Sequence, residues 1–490
     1  MDVILAGFNI DFETIKALHA AAPLSDPLTP ETLSAAYARI SRNPRPVNEL
    51  RAVARREVEK ARRSNQKIVF DMGHSSVAEH AVFNIDILGV SRLIVEEIEK
   101  FRLCSYTEKS QRYIRLDDDV VLPAEIKTAG LHQRFVETIK AQNGLYHELY
   151  HGLRDHMFRM HNDLAADPAQ HPVIDGWAKE DARYIVSLAT EAQLGMTLNA
   201  RNLELMLRRA AAHPLAEVRE FGERLYAVTQ NIAPSLVRYT KATPFDIHTR
   251  TELRERTEKL MGHYAVDEGT EATSPSDEMT LVAPSPQGDD MILAALIHSS
   301  SHLAMERCRA LVGQLSQDEK TAMMKAACRH MEIYDAPIRE FEYADLTFEG
   351  TVSATCFAQL KRHRMVTLTG QTYNPALGVT IPESIRAIGM ADRFMEVIAG
   401  TEDLYSRIEE QAPEAASYIL TNAHRKRVLM KVNARELYHI SRLREDGHAQ
   451  WDIRERAREM LQEARKVLPL TLLLATGKDT FEAFRTTVMD

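Results

Sequence analysis

Apolar and polar residues alternate over residues 81–90, AVFNIDILGV, a period of two that predicts a strand with one buried face. The period then changes. SRLIVEEIEKF carries apolar positions at helical spacing, and Ser91 stands where an N-cap accepts a backbone hydrogen bond. Residues 343–349, followed by TVSATCFAQLKRHR, repeat this strand-to-helix succession. Further on, KVNARELYHISRLR (431–444) and AQWDIRERAREMLQEARKVL (449–468) read as helices, the second strongly amphipathic. Residues 264–290 break the pattern, being rich in Ser, Thr, Pro, Gly and acids with little periodicity. The predicted fold class is α+β, helix-rich with short strands, in two tandem domains, 1–262 and 291–490, joined by a polar linker over 263–290.

The two halves read as distant repeats. GVSRLIVEEIEKFRLCSYT (89–107) aligns with TVSATCFAQLKRHRMVTLT (351–369) at an offset of 262. ARYIVSLATEAQLGMTLNARNLELML (182–207) aligns with ASYILTNAHRKRVLMKVNARELYHIS (416–441) at an offset of 234, because the first half carries a longer insert, 117–170, between its blocks. Solenoid repeats run to tens of residues, so this spacing points to duplication of a whole domain.

Composition narrows the classes. The 490 residues are 44% hydrophobic and 27% charged, as in a soluble globular protein, and long enough for two or three cores. A net charge of −9 argues against a general nucleic-acid or membrane-surface binder, which needs a basic footprint. MDVILAGFNIDF lacks the basic start and apolar run of a signal peptide, and LPLTLLLAT is too short to span a bilayer; a cytoplasmic protein is expected. Cys104, Cys308, Cys328 and Cys356 form no metal-ligand spacing and read as reduced, buried thiols rather than nucleophiles.

Against that acidic background Lys361, Arg362, His363 and Arg364 place four potentially cationic side chains in about one helical turn. The cluster predicts an anionic ligand; a solvated helix face is the plainer alternative. HELYH (147–151) matches the zinc pattern H-E-x-x-H, but no third ligand is marked, and no metal is expected. HSSSH (298–302) is weaker still.

GHSSVAEH (73–80), GVSR, FRLCSYTEKSQRY (101–113), QLKRHRMVTLTGQTY and NARELYHISRLREDGHAQWDIRE (433–455) together resemble the flavin-dependent thymidylate synthase (ThyX) family, whose signature is R-H-R-x-x-S-x-N-x-x-S-x-R. Neither half keeps the whole signature. The first has Lys100-Phe101-Arg102 in place of R-H-R but retains Ser105, Glu108, Ser110 and Arg112, with Thr107 for the Asn; the second keeps Arg362-His363-Arg364 and loses the Glu and final Arg. The losses are complementary elsewhere too. Arg183 faces Ser417 in the alignment, Arg444 faces Ala210, Gln359 faces Glu97 and His74 faces Ala336.

The resemblance implies FAD as cofactor, NADPH and methylenetetrahydrofolate as co-substrates, and methylation of a pyrimidine nucleotide, dUMP to dTMP in the simplest case. It assigns Arg444 and His74 to catalysis, with a core histidine as the plain reading of His74. It assigns Gln359, Arg362, Glu108, Ser110, Arg112 and Arg183 to the substrate. Arg362, His363, Arg364, Asn433, Arg435, His439, Asn199, Arg201 and Ser76 go to the flavin, helix caps and core ties being the alternative for Asn199 and Arg201. Family sites draw on several subunits, so a homodimer acting as a pseudo-tetramer is expected, with one complete composite site per chain and a degenerate twin. The alternatives are a flavin- or nucleotide-binding protein without turnover and a one-carbon reaction on another nucleotide.

Overall fold

A computed structural model describes residues 1–19, 29–40, 43–112, 116, 118–264 and 278–489. Most of the predicted linker, 265–277, lies outside the described residues.

Each half contributes one four-stranded antiparallel sheet. The first is ordered β1-β2-β4-β3, with β1 at Asp2–Phe8, β2 at Val82–Ser91, β3 at Ser105–Glu108 and β4 at Glu191–Asn199. The second is ordered β5-β6-β8-β7, with β5 at Thr280–Pro284, β6 at Asp345–Ser353, β7 at Thr367–Gly370 and β8 at Arg425–Asn433. Registers repeat as well as order. Ser105 pairs with Thr197 as Thr367 pairs with Lys431, and Val82 pairs with Asn199 as Asp345 pairs with Asn433. The sheets differ at one residue. β2 shifts register between Leu88 and Val90, and Gly89, at φ +67°, takes up the extra position. An L side chain strains at that φ, so Gly is the residue for such a bulge.

β4 and β8 alternate exposed and buried positions along nearly their whole length, as half-buried strands do. The predicted strand at 81–90 is β2, and Ser91 caps the helix Arg92–Ile98 by accepting from the Ile94 amide. Ser353 does the same for Ala354–Leu360, accepting from the Cys356 amide. One expectation is corrected: Lys431, Val432 and Asn433 are not helical but end β8, and the helix begins at Ala434. Asn433 is its N-cap, so the helical pattern ran back one element too far.

The described chain forms two compact units, and each takes a segment from the other sequence half. Unit 1 comprises Met1–Glu148, Val186–Thr270 and Phe394–Leu420; unit 2 comprises Leu149–Ile185, Glu271–Arg393 and Thr421–Asp490. In unit 1 Gln142 donates to the Thr401 hydroxyl and the Ile419 carbonyl, and the Leu188 amide donates to Leu420. In unit 2 the Ala423 amide donates to Tyr184 and Asn422 Nδ2 to the Arg183 carbonyl. The core of unit 2 lies between its sheet, through Phe348, Met430 and Val432, and helices that supply Ile292, Leu293, Leu437, Met460 and Leu461. The insert is mainly helix His132–Met160. Among the described residues no helix is long and apolar enough to cross a membrane.

Candidate functional site

The basic residues do not continue the helix Ala354–Leu360; they form the turn that ends it, with the Arg362 amide bonded to Gln359 O and the His363 amide to Leu360 O. Their exposure alternates. Lys361 and His363 are buried, Arg362 and Arg364 exposed. A solvated helix face does not sort this way.

Arg444, in the last turn of Ala434–Arg444, locks the buried histidine. Its Nε donates to His363 Nε2 at 2.9 Å and its Nη2 to the Gln359 backbone carbonyl at 3.2 Å. A guanidinium only donates, so His363 Nε2 offers a lone pair and Nδ1 carries the proton, facing Glu436 Oε1 at 3.6 Å. Burial, then the charges of Arg444 and His439, hold His363 well below the ordinary histidine range, so the ring stays neutral. Burial raises the Glu436 carboxyl in turn. His363, Glu436 and His439 present ligand atoms within 4.8 Å of one another. A metal ion there would have to displace the Nδ1 proton and face the guanidinium, so the arrangement suits an anion better than a cation.

Arg183, from the first half, lies in the same unit as this cluster. It is buried, its Nε donates to the Glu180 carbonyl, and Asn422 ties its backbone to the start of the Gln359 helix by accepting from the Thr355 amide. Gln359 is buried as well. Its Nε2 donates to Gln450 Oε1 at 3.3 Å, while its own Oε1 accepts no hydrogen bond from any described residue.

Glu108, Ser110 and Arg112 lie in unit 1. Glu108 is buried against Arg92 at 3.4 Å, and Ser110 Oγ accepts from the Arg112 amide at 3.1 Å, a local turn that fixes the segment's shape. His74 and Ser76 are exposed, at the start of the short helix Ser75–His80.

Asn199 and Asn433 have matching structural roles. Each caps the helix that follows, accepting from the Asn202 and Glu436 amides at 2.9 Å. Arg201 pairs with Glu79 at 2.5 Å, and Arg435 with Glu342 at 3.2 Å and the Pro337 carbonyl at 2.6 Å. The N-A-R repeat thus places a cap and an ion pair in both halves. His439 is exposed, its ring edge-on to His363 at 5.9 Å.

Unit 1 holds a self-satisfied counterpart of the basic turn. Glu97 stands where Gln359 stands in unit 2, and it binds Lys100 at 2.5 Å and His213 at 3.5 Å. Burial opposes its ionisation, but His213 and Lys100 outweigh that and bring the carboxyl down to about 2. Glu97 thus balances Lys100 within this turn, whereas the equivalent position in unit 2 is the neutral Gln359.

Below both turns lies a feature the sequence did not single out. In unit 2 Asp452 Oδ2 accepts from Ser353 Oγ at 2.6 Å and from Tyr184 OH at 2.9 Å; in unit 1 Glu217 Oε2 accepts from Ser91 Oγ and from Tyr418 OH, each at 2.7 Å. The available signal was that Ser91 and Tyr184 recur as Ser353 and Tyr418 at the two repeat offsets.

Asp181 Oδ1 accepts from Trp451 Nε1 and Oδ2 from Ser384 Oγ in unit 2; burial dominates these bonds and pushes its carboxyl up to about 6. The native carboxyl therefore holds its proton more tightly than the unfolded one, whose pKa is about 4. Its contribution to stability is full below about pH 4 and is lost as pH rises through about 6, a change of about 3 kcal/mol for two pKa units. Asp181→Asn should flatten the fall in melting temperature between pH 4 and pH 7; an unchanged fall would assign it to other groups.

All four cysteines are buried. Burial pushes the Cys356 thiol well up and Cys328 up to about 12, so neither supplies a thiolate. In HELYH, His147 meets Asp118 at 3.1 Å.

The family described as Thy1, thymidylate synthase complementing protein, matches residues 24–235 and 280–470, once in each half. A UPF0159 protein of Chlamydia muridarum is 25% identical over 83% of this chain and 79% of its own. A flavin-dependent thymidylate synthase of Clostridium tetani is 27% identical over 35% of this chain and 68% of its own. The crystal structure of flavin-dependent thymidylate synthase ThyX from Helicobacter pylori, complexed with FAD and dUMP, covers 49% of this chain and 100% of its own at 16% identity and a TM-score of 0.31.

Proposed function

The chain belongs to the Thy1 family, thymidylate synthase complementing protein, and on that premise we propose that it is a flavin-dependent methyltransferase converting dUMP to dTMP, with FAD as cofactor and methylenetetrahydrofolate and NADPH as co-substrates. The observation that carries this reading is the sorting of polar residues between the units. Unit 2 gathers Gln359, Arg362, His363, Arg364 and Arg444 with Arg183 from the other sequence half; unit 1 has Glu97, Lys100, Phe101, Arg102, Ala210 and Ser417 at the equivalent positions. Drift without function would not spare one set so consistently.

The donor set fits an anionic cofactor. Exposed Arg362 and Arg364 offer planar forks suited to phosphate. The neutral ring of His363 adds no charge of its own beneath the exposed arginines. FAD, when bound, supplies the hydride chemistry. Arg444, held by His363 and the Gln359 carbonyl, is the group to stabilise negative charge developing on a uracil ring. Arg183 and Gln359 serve the nucleotide. The family resemblance gives Glu108, Ser110 and Arg112 to the same substrate, and a homodimer would supply that strip from a second copy. Asn433 and Arg435 act by fixing the helix that carries His439 and Arg444.

Purified protein should be yellow, bleach with NADPH, and convert dUMP to dTMP when methylenetetrahydrofolate is added. A protein that binds FAD and dUMP without turnover would instead support the non-catalytic reading. Lys100→Ala, in the self-satisfied turn, should leave turnover within about twofold, since surface ion pairs contribute little.

A further inference from the structure

A directional hydrogen-bond chain runs through unit 2 from Asp452 to Gln359. Tyr184 OH has one proton and gives it to Asp452 Oδ2 at 2.9 Å. Burial, with the charge of Asp452 second, pushes the phenol well above its ordinary range, so the proton stays. The phenol oxygen is left to accept, and it accepts from Gln450 Nε2 at 2.9 Å. That fixes the Gln450 amide with Oε1 outward as an acceptor, which takes the hydrogen of Gln359 Nε2 at 3.3 Å. Gln359 is thereby oriented with Oε1 as its remaining group, a buried acceptor that no described residue satisfies. A neutral amide left to itself can present either end; here the carboxylate at the far end decides.

The twin in unit 1 isolates this feature. Ser91, Glu217 and Tyr418 reproduce the lock of Ser353, Asp452 and Tyr184. Gln450 and Leu215 each immediately precede the helix that carries the matched carboxylate, Trp451–Val467 with Asp452 and Ala216–Thr229 with Glu217, so Leu215 is the equivalent of Gln450, and Glu97 that of Gln359. The lock is common to both units and is structural; the two glutamines extend it only where the arginines are kept.

We propose that Asp452, Tyr184 and Gln450 are positioning residues that present Gln359 Oε1 as a fixed acceptor, so that unit 2 selects a nucleotide offering a hydrogen-bond donor, the imide N–H of a uracil-type base or a sugar hydroxyl, at that point. A ring with a lone pair there, as in cytosine, meets oxygen against nitrogen with no hydrogen between them. The inference rests on the nucleotide reading given above. A buried acceptor left unpaired costs about 1–3 kcal/mol, so a ligand lacking the donor should bind roughly tenfold or more weakly.

The test is titration calorimetry of the full chain with dUMP, 3-methyl-dUMP, which lacks the imide N–H, and 2′,3′-dideoxy-UMP, which lacks the 3′-hydroxyl. Wild type should bind one of the two analogues at least tenfold more weakly than dUMP, and which one identifies the donor. Gln450→Leu, which copies Leu215, should weaken dUMP about tenfold and shrink the gap between dUMP and that analogue to about twofold or less. Tyr184→Phe, which removes the directing proton, should do the same, while Tyr418→Phe in the twin should lower melting temperature and leave dUMP affinity within twofold. If wild type binds dUMP but neither analogue is disfavoured, or if Gln450→Leu preserves the gap, the chain does not orient Gln359 and the inference is overturned. If wild type does not bind dUMP, the nucleotide reading fails first and the inference falls with it.

Discussion

Arg444→Ala is expected to lower dUMP turnover by about 10²–10³-fold, the loss usual for removing one donor aimed at developing negative charge. Two effects combine. The guanidinium is the group the reading sets against the uracil, and it also donates to His363 Nε2 and to the Gln359 carbonyl, so its loss frees the buried ring at the centre of the basic turn. Arg444→Lys should recover little, because an ammonium cannot reproduce two bonds from a planar fork. The change should fall mainly on kcat, and melting temperature should move by only a few degrees, since Arg444 is half-exposed. Steady-state kinetics beside a thermal melt separate the outcomes. Unchanged kcat with raised KM would reassign Arg444 to ground-state binding.

The largest stability effect is expected in the unit that lacks the complete cluster. Glu217 accepts from the Ser91 amide at 2.7 Å, from Ser91 Oγ at 2.7 Å and from Tyr418 OH at 2.7 Å. Burial nevertheless raises its carboxyl. Glu217→Ala removes the acceptor shared by three buried donors and opens a cavity beneath β2. About 3–4 kcal/mol is the expected cost, from an unsatisfied group at about 1–3 kcal/mol and the void beside it. Glu217→Gln should cost less, since an amide oxygen still accepts while its NH₂ meets a donor. Chemical denaturation monitored by far-ultraviolet circular dichroism, which reads the helices of both units, gives the difference, since both tryptophans, Trp177 and Trp451, belong to unit 2. An Ala variant within about 0.5 kcal/mol of wild type would show that Tyr418 and Ser91 find other partners.

The chain's short-range signals read well. Alternation at 81–90 is β2, Ser91 is a helix cap, and the offsets of 262 and 234 reappear as matching registers in two sheets of identical strand order. These features are local or depend on repetition, so pattern alone carries them. What was not legible depends on which distant surface a segment covers. Nothing in 149–185 announces that it belongs to the same compact unit as the second half, because that depends on contacts distant in sequence. The sequence does not single out Tyr184 or Gln450, since hydrogen-bond direction exists only between partners in space. Lys431–Asn433 read as helix because strand and helix meet there without a turn, and Asn433 serves as the last residue of one and the cap of the other. At the basic turn the sequence gathers four potentially cationic side chains, but only the fold shows that two are exposed and two buried, one of the buried pair being a neutral ring.

The proposed function requires one complete site built from residues of both halves of the sequence. Its most direct test is dUMP methylation with FAD, NADPH and methylenetetrahydrofolate by Arg362→Ala and Arg112→Ala, each compared with wild type. Loss of the activity in both variants, one altered in each half, is the predicted result. Full turnover in Arg112→Ala while Arg362→Ala is dead would show that the second half works alone, and would contradict it.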